Sequence, residues 1–316
     1  MCALALFVSQ AVFSPSSYCA SASGAVSKDE LTKQEGIYQS KGGAVPSGYV
    51  IGRSLDLYHD ALRQAFGRSL ASLAPTDRWL DIGAGEGHAI LDYCTPREGA
   101  SQAEAGDEMR ARAVAISIED RRTARWHETV ARVGADQIQY LFGKTLRQYS
   151  MQELGKFKLI TDVMGGFSYS TELSTFMERA LSMLELNGSF HTVLADVHSE
   201  SGRNVPHYPD ASYLTEITSA DGAEVKVCSW LKRISCVQVT CEFNPDWTPP
   251  VESYHIRKVC DDVKVPALAP VHYQAGTPPE RRYRLSDPLR APTGGQVVGS
   301  EVPAAAGQQN RGASQP

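Results

Sequence analysis

The sequence lacks the features that define several common classes of protein. None of its 316 residues belongs to a window of about 18 consecutive apolar residues, the length that crosses a bilayer, so we predict no membrane span. Seven cysteines occur without a Cys-x-x-Cys pair, which excludes zinc-ribbon and dithiol redox motifs. The formal net charge of -5 gives no electrostatic basis for binding nucleic acid, so we do not expect a nucleic-acid partner.

Positive charge is also missing from the apolar amino terminus. Met1 to Phe13 is mostly apolar, and small residues follow at 17–24, as they do at signal-peptide cleavage sites. However, Lys28 is the first basic residue, whereas an export signal begins with a positive segment. Export through this segment is therefore the alternative to a cytoplasmic location.

We expect the cysteines to be reduced core residues, although Cys236 and Cys241 could meet across a turn.

Composition divides the chain into three parts. Residues 1–47 comprise the apolar start, a possible signal segment, and a polar Gly/Ser/Lys-rich leader that we expect to be mobile. Residues 48–265 carry regular apolar periodicity and form the predicted domain. Residues 266–316 are rich in Pro, Gly and Ala, and we expect most of this tail to be disordered. With 42% hydrophobic and 21% charged residues overall, the chain can bury a large core.

Helix and strand patterns alternate along the first part of the domain. A helical pattern from Tyr49 to Leu73 precedes five strand patterns separated mainly by helices, at residues 79–82, 113–118, 137–142, 157–164 and 189–194. Residues 186–188 are predicted as the turn into the fifth strand. Val225–Trp230 and Ile234–Phe243 then indicate two strands without a helix between them. We predict an α/β fold: a doubly wound, mostly parallel, seven-stranded Rossmann-like sheet with helices on both faces and an antiparallel pair at its C-terminal end.

The most informative stretch is Leu80-Asp81-Ile82-Gly83-Ala84-Gly85-Glu86-Gly87. It predicts a buried strand, a tight turn and the start of a helix, with glycines where the backbone needs unusual dihedral angles and a ligand approaches closely. A dinucleotide fingerprint, G-x-G-x-x-G, would place its third glycine where His88 stands. This spacing disfavours an NAD(P)-dependent oxidoreductase, which stays as a less favoured alternative.

The same stretch resembles the first motif of class I S-adenosylmethionine-dependent methyltransferases, and the resemblance extends over roughly Tyr49 to Leu194. It implies S-adenosylmethionine as the cofactor and methyl transfer as the activity. By position it also implies a set of cofactor-binding residues: Asp81, Gly83, Gly85, Glu86, Gly87, Glu119 and Asp162.

The resemblance gives these positions distinct roles. The glycine turn would surround the methionine part of the cofactor, and Asp81 would orient the loop or meet the amino group. Glu119, after the second strand, would accept hydrogen bonds from both ribose hydroxyls, with the adjacent Asp120 as the alternative. Asp162, at the end of the fourth strand, matches the place where the cofactor and substrate sites meet.

The sequence departs from the family after the third strand. An acid that contacts the adenine amine often follows a glycine there, but this chain has Gly143-Lys144, so backbone groups near Thr145 would have to replace it. This departure keeps open a non-catalytic binding module with the same fold. The segment 162–167 also lacks the motif of enzymes that methylate base amines. Asn244-Pro245-Asp246-Trp247 resembles that motif only superficially, and we predict a turn.

We assign no catalytic residue and no metal site from the sequence. The candidates for a base are Tyr169, His191, Asp196, His198 and His207, of which His191 is predicted to be a packed core residue. The methyl acceptor is not identified and is a small molecule, a peptide or a protein. Cytoplasmic location is favoured because the methyl donor is made and held there.

Overall fold

The computed structural model describes most of the predicted domain. The described residues are 52–95, 110–170, 172–195, 213–219, 224–225, 227–247, 251–268, 272–274 and 280–285. The predicted leader and signal segment, and the part of the predicted tail from 286 onward, lie outside these residues. Within the described residues, no helix is both long and apolar enough to cross a membrane.

The first helix, α1 (Leu55–Ala71), begins where a polar side chain caps it. The Ser54 hydroxyl accepts a hydrogen bond from the Leu57 amide. Its apolar residues recur at helical spacing and form one buried face. Arg63 interrupts the helix with φ 63° and ψ -165°, a conformation that the apolar periodicity does not predict.

The central domain then alternates strands and helices. The strands are β1 (Arg78–Ile82), β2 (Arg112–Ser117), β3 (Ile138–Phe142), β4 (Phe157–Val163) and β5 (Leu184–Ala195). The helices are α2 (His88–Cys94), α3 (Ala124–Val133), α4 (Met151–Leu154), α5 (Gly166–Tyr169) and α6 (Leu173–Met183), with a 3-10 turn at Leu146–Gln148. The chain continues as β6 (Tyr213–Ser219), β7 (Glu224–Val225), α7 (Val227–Leu231), β8 (Val237–Asn244) and β9 (Val251–Lys258).

One seven-stranded sheet, in the order β3-β2-β1-β4-β5-β9-β8, forms the centre. Its first five strands are parallel, and β9 is antiparallel to both β5 and β8. Buried clusters cover both faces, since Leu80 and Ile82 of β1 belong to one cluster and Trp79 to the other. The predicted fold class is confirmed. The carboxyl ends of β1, β2 and β4 meet at one edge, because β1 pairs in parallel with the other two strands.

The antiparallel pair has different members from those predicted. Val225–Trp230 was predicted as a strand, but Val227–Leu231 forms helix α7, and the true pair is β8 with β9. The reason is the spacing of the buried side chains Val227, Trp230 and Leu231, which is that of a helix face.

The turn predicted at residues 186–188 is instead part of a strand. Helix α6 ends at Met183 and β5 begins at the next residue. The change of direction is absorbed inside the strand, where Asn187 has φ 61° and the register with β4 shifts. A Cβ on Gly188 would lie 2.9 Å from the Lys158 carbonyl oxygen, so only glycine fits beside β4 there.

The prediction of reduced cysteines is wrong for four of them. Cys228 of α7 is bonded to Cys241 of β8, and Cys236 is bonded to Cys260, which follows β9. Cys94 is free and buried. Sequence separation did not indicate the partners, because helix α7 and the return of β9 decide which sulfur atoms meet.

A second sheet, in the order β10-β11-β6-β7, contains the strands β10 (His272–Gln274) and β11 (Glu280–Leu285). Both strands lie in the range that composition assigned to the tail. Strand β11 pairs in parallel with β6 and antiparallel with β10. Part of this range therefore has regular structure.

Candidate functional site

The glycine loop between β1 and α2 has an unusual backbone at each of its three glycines. Gly83, Gly85 and Gly87 have φ of 68°, 59° and 73°, in the left-handed region that side chains disfavour. Gly87 caps α2, which begins at His88. The strand, turn and helix predicted from the sequence are confirmed.

The protein itself fills the space beside two of these glycines. A Cβ on Gly83 would lie 2.6 Å from Cα of Gly165, in the turn after β4, and a Cβ on Gly87 would lie 2.5 Å from the ring of Trp126 on α3. A Cβ on Gly165 would lie 2.5 Å from the Ile82 carbonyl oxygen. Two of the three glycines are therefore required by the close packing of two loops and a helix.

Asp81 lies under the loop and is fully buried, with 0% of its surface exposed. Its carboxyl accepts hydrogen bonds from the Tyr58 hydroxyl at 2.9 Å and the Thr161 hydroxyl at 2.7 Å, and Trp79 Nε1 donates to Thr161 at 2.8 Å. Burial raises the pKa of Asp81 to about 6, although the hydrogen bonds and the charge of Arg53 oppose this. These contacts connect the end of β1 to α1 and to β4 beneath the glycine loop.

Asp162 occupies the opposite face of the sheet and also has 0% exposure. Its two oxygen atoms accept hydrogen bonds from the amides of Gly165 and Phe167, each at 3.0 Å. Burial raises its pKa to about 7, and the charge of Asp81 acts in the same direction. Asp162 therefore holds the turn after β4 against the glycine loop.

Two residues from the N-terminal helix region contact the site although the sequence does not predict them there. Arg53 is only 5% exposed and donates a hydrogen bond to the Gly83 carbonyl. Its positive charge acts to lower the pKa values of Asp81, Asp162 and Tyr58. Tyr58 was assigned only to the apolar face of α1. No local signal marks either residue, since their partners are in other elements.

The two acids after β2 differ in how many of their carboxylate oxygen atoms are paired with an arginine. Glu119 is 51% exposed, and one of its oxygen atoms pairs with Arg121. Asp120 is 40% exposed, but both of its oxygen atoms accept hydrogen bonds from Arg122, at 2.8 and 2.7 Å, which lowers its pKa. Of the two acids, Glu119 therefore has the carboxylate with fewer hydrogen bonds to the protein.

Glu86 lies at the outer side of the loop. Its carboxylate is 3.1 Å from His88 Nε2, and both side chains are about one quarter exposed, at 24% and 25%. Gly52 is close to both, since a Cβ there would lie 3.4 Å from the His88 ring and 3.5 Å from Glu86. A carboxylate is thus available beside the glycine loop.

At the end of β3, both backbone groups of Thr145 take part in the turn that follows. The Thr145 carbonyl oxygen accepts a hydrogen bond from the Gln148 amide at 3.0 Å, and the Thr145 amide donates to the Gln148 side chain at 2.6 Å. In place of an acid, this end presents Phe142, which is 45% exposed, with the Arg122 guanidinium 5.1 Å from its ring centre.

The structure places one of the candidate bases in the core. His191 is buried, as predicted; Nε2 lies 2.9 Å from the Ser69 hydroxyl, and its ring stacks on His255 at 4.4 Å. The Tyr169 side chain, Asp196, His198 and His207 lie outside the described residues. The turn predicted at residues 244–247 is confirmed: Asn244 ends β8 and the turn follows it.

The known proteins that match this chain do so in structure and only distantly. No protein family description matches this chain, and no curated protein matches it. The N-methyltransferase NodS from Bradyrhizobium japonicum WM9 matches at 15% identity and a TM-score of 0.41, over 64% of this chain and 97% of that one. Its complex with S-adenosyl-L-homocysteine matches at 14% identity and a TM-score of 0.41, over 68% and 93% of the two chains.

A precorrin-6y C5,15-methyltransferase from Geobacter metallireducens GS-15 matches at 12% identity and a TM-score of 0.37, over 64% of this chain and 88% of that one. These solved structures are methyltransferases, the class that the glycine motif resembles. The likenesses are too distant to carry an activity to this chain, so its function has to be inferred from the site.

Proposed function

We propose that this protein transfers a methyl group from S-adenosylmethionine to an acceptor. The observation that carries the proposal is the glycine loop at the carboxyl end of β1: three left-handed glycines, with a partly free carboxylate, Glu119, at the end of the neighbouring strand. A ligand at such a loop approaches the backbone closely and reaches the strand-end acid. The proposed enzyme class is S-adenosylmethionine-dependent methyltransferase.

The residues at the loop fit the chemistry of this cofactor. Its vicinal ribose hydroxyls are two donors, which the exposed carboxylate of Glu119 can accept. Its methionine part carries an ammonium and a carboxylate, and Glu86 and the loop backbone offer groups of suitable polarity. Arg53 and Asp162 support the site from below, since Arg53 donates a hydrogen bond to the Gly83 carbonyl and Asp162 accepts one from the Gly165 amide.

The bound cofactor would supply a methyl group already activated on a sulfonium. The protein then has to align an acceptor and exclude water, and these tasks need no catalytic acid or base unless the acceptor must lose a proton. A rigid glycine loop suits this role. Gly83 and Gly87 have no free space beside them, so the loop is closely packed at both of these positions.

Two alternatives have observations of their own. An NAD(P)-dependent oxidoreductase is disfavoured because Gly87 caps the helix and packs on Trp126, one position before the third glycine of the dinucleotide fingerprint. A non-catalytic binding module is favoured by the absence of an adenine acid after β3, where Lys144 follows Gly143. The acceptor class stays open here between a small molecule, a peptide and a protein.

We propose a cytoplasmic location, because the methyl donor is made and held in the cytoplasm. The bonds Cys228–Cys241 and Cys236–Cys260 favour the alternative of export, because disulfides persist mainly in oxidising compartments. Sequencing the amino terminus of the mature protein tests this. An intact Met1 supports the cytoplasm, and cleavage after the small residues at 17–24 contradicts it.

Titration calorimetry of the purified chain with S-adenosylmethionine, S-adenosylhomocysteine and NAD tests the cofactor. Binding of the first two supports the proposal, whereas binding of NAD alone refutes it and no binding favours the non-catalytic module. Glu119→Gln should weaken binding about tenfold, because a charge-assisted pair is lost. Asp120→Asn is the matched control, since Arg122 already holds that carboxylate.

A second variant tests the loop itself. Gly85→Val should abolish binding because a side chain would occupy the backbone surface that the ligand approaches. Gly134→Val is the control, as Gly134 also has a positive φ, 98°, but lies at the end of α3 with nothing within 4 Å of its added Cβ. Equal cofactor affinities for the two folded variants would contradict the assignment of this site.

A further inference from the structure

A cavity of about 460 Å³ lies beside α1 and is not part of the glycine-loop site. Its walls come from one flank of α1 and from the end of β8 with the turn that follows. Its lining residues include His59, Asp60, Arg63, Asn244, Asp246 and Trp247. This volume is in the range of about 300–1,000 Å³ that small-molecule sites occupy, so the ligand it suits is a small molecule.

The cavity lies at the same edge and on the same face of the sheet as the glycine loop. On one side, Asp60 and its neighbours follow Tyr58 directly, and Tyr58 is bonded to Asp81. On the other side, Asn244 pairs with Val251, which pairs with the last residue of β5. Trp247 packs against the buried cluster that contains Tyr58.

The charges in the cavity are not paired with one another. Among the described residues, Asp60, Arg63 and Asp246 form no side-chain ion pair, although surface acids and arginines elsewhere in the domain do, as Glu119 does with Arg121. Two carboxylates and one guanidinium in one small cavity match a ligand that carries both an ammonium and a carboxylate. The Trp247 ring adds a surface on which a cationic nitrogen can rest.

The backbone of Arg63 supports a ligand-binding role for this wall. Its φ of 63° and ψ of -165° lie in a region that essentially only glycine adopts, within a helix whose other residues are regular. Strained residues of this kind concentrate at ligand-binding positions. The strain is at the one cation among the cavity residues named above.

We propose that this cavity binds the methyl acceptor, and that the acceptor is a small zwitterionic amine. Asp60 and Asp246 would receive its ammonium group, and Arg63 its carboxylate. The methylation of the bound amine rests on the proposed methyl transfer, whereas its binding in the cavity does not. In the transfer, the amine first releases a proton to water; its nitrogen then forms the N–CH3 bond while the S–CH3 bond breaks and that electron pair returns to sulfur.

Saturation-transfer NMR with a panel of amino acids tests the recognition, each with its N-acetyl and carboxamide derivatives. The zwitterions should bind, and the derivatives, which lack one charge, should bind about tenfold more weakly or not at all. Asp246→Asn and Arg63→Gln should each weaken zwitterion binding by a similar factor. Glu128→Gln, an exposed acid on α3, is the control and should leave binding unchanged.

The outcomes separate this proposal from the cofactor proposal. If S-adenosylhomocysteine binds but no zwitterion does, or if the variants bind zwitterions as the native protein does, the cavity is not the acceptor site. If zwitterions bind in a variant-sensitive way while S-adenosylmethionine and its product do not, the cavity is a zwitterion site and methyl transfer fails. Mass spectrometry of the bound amine after incubation with the methyl donor should find one added methyl group.

Arg63→Gly distinguishes a binding role from a structural one. Glycine adopts this backbone without strain, so the variant should be at least as resistant to heat as the native protein. It should nevertheless lose zwitterion binding, because the guanidinium is gone. Unchanged zwitterion binding by this folded variant would overturn the assignment of Arg63.

Discussion

Gly83 and Gly165 touch through their backbones: a Cβ added to Gly83 would lie 2.6 Å from Cα of Gly165. The first residue follows β1 and the second follows β4, so this contact closes the gap between two neighbouring strands at the edge where the site lies. A substitution that disturbs this contact should lower the free energy of unfolding.

Gly165→Ala should lower the free energy of unfolding by about 1–3 kcal/mol, because its Cβ would overlap the Ile82 carbonyl oxygen. Gly52→Ala, the control, should change it by no more than about 1 kcal/mol, since Gly52 has no positive φ and its Cβ would make only ordinary contacts at 3.4–3.5 Å. Urea unfolding followed by circular dichroism measures both. If Gly165→Ala proved the milder change, the tight contact would not exist in solution.

Tyr58→Phe should lower the free energy of unfolding by about 1–3 kcal/mol, because buried Asp81 loses a hydrogen-bond donor. Tyr149→Phe is a matched control, as the Tyr149 hydroxyl is buried and has no hydrogen-bond partner among the residues that the structure describes. Its removal should be neutral or stabilising. Equal losses of stability in the two variants would mean that Tyr58 does not support Asp81.

Breaking Cys228–Cys241 with serine at both positions should lower the free energy of unfolding by about 3 kcal/mol, the value expected for a loop of this length. A thiol reductant should lower the urea midpoint of the native protein in the same direction. Peptide mapping without reduction identifies the linked pairs. Cys94→Ser should leave that map unchanged, because Cys94 is a free thiol. Finding Cys236 linked to Cys241 would contradict the structure.

Acid should destabilise the fold through the stacked pair His191 and His255. Burial lowers the pKa of both, and of His191 most strongly. Below the ordinary value of 6.5, the unfolded chain takes up protons that the folded chain does not, so this stability is full above 6.5 and is lost as pH falls. For His191 the loss approaches about 1.4 kcal/mol per pH unit.

Urea unfolding of the native protein and of His191→Gln at pH 5 and pH 7.5 isolates this effect. The stability advantage of the native protein should shrink at pH 5. Asp81 and Asp162 act in the opposite direction, since their raised pKa values reduce stability as pH rises from about 4 towards 6 and 7, but they are common to both proteins.

The sequence predicts the features that depend on neighbouring residues. The parallel strands and the glycine turn follow from apolar runs and from the backbone needs of Gly83, Gly85 and Gly87, and both are found. The turn at Asn244 to Trp247 is local in the same way.

Features that depend on distant contacts are missed. Arg53 reaches Gly83 across 30 positions, and Tyr58 reaches Asp81 across 23, so no local pattern marks them. The disulfide partners depend on how α7 and β9 return to β8. The bulge at Asn187 arises because helix α6 runs directly into β5, which leaves no residues for a separate turn.

Trp126 rests on the glycine loop, with its ring where a Cβ of Gly87 would be and edge-on to Tyr140 at 5.0 Å. The Tyr140 hydroxyl in turn donates to the Gly85 carbonyl. A buried indole in this position makes the protein its own optical reporter. The fluorescence of Trp126 should change when the loop moves or when a ligand binds against it, so no added label is needed. Trp126→Phe should remove this change.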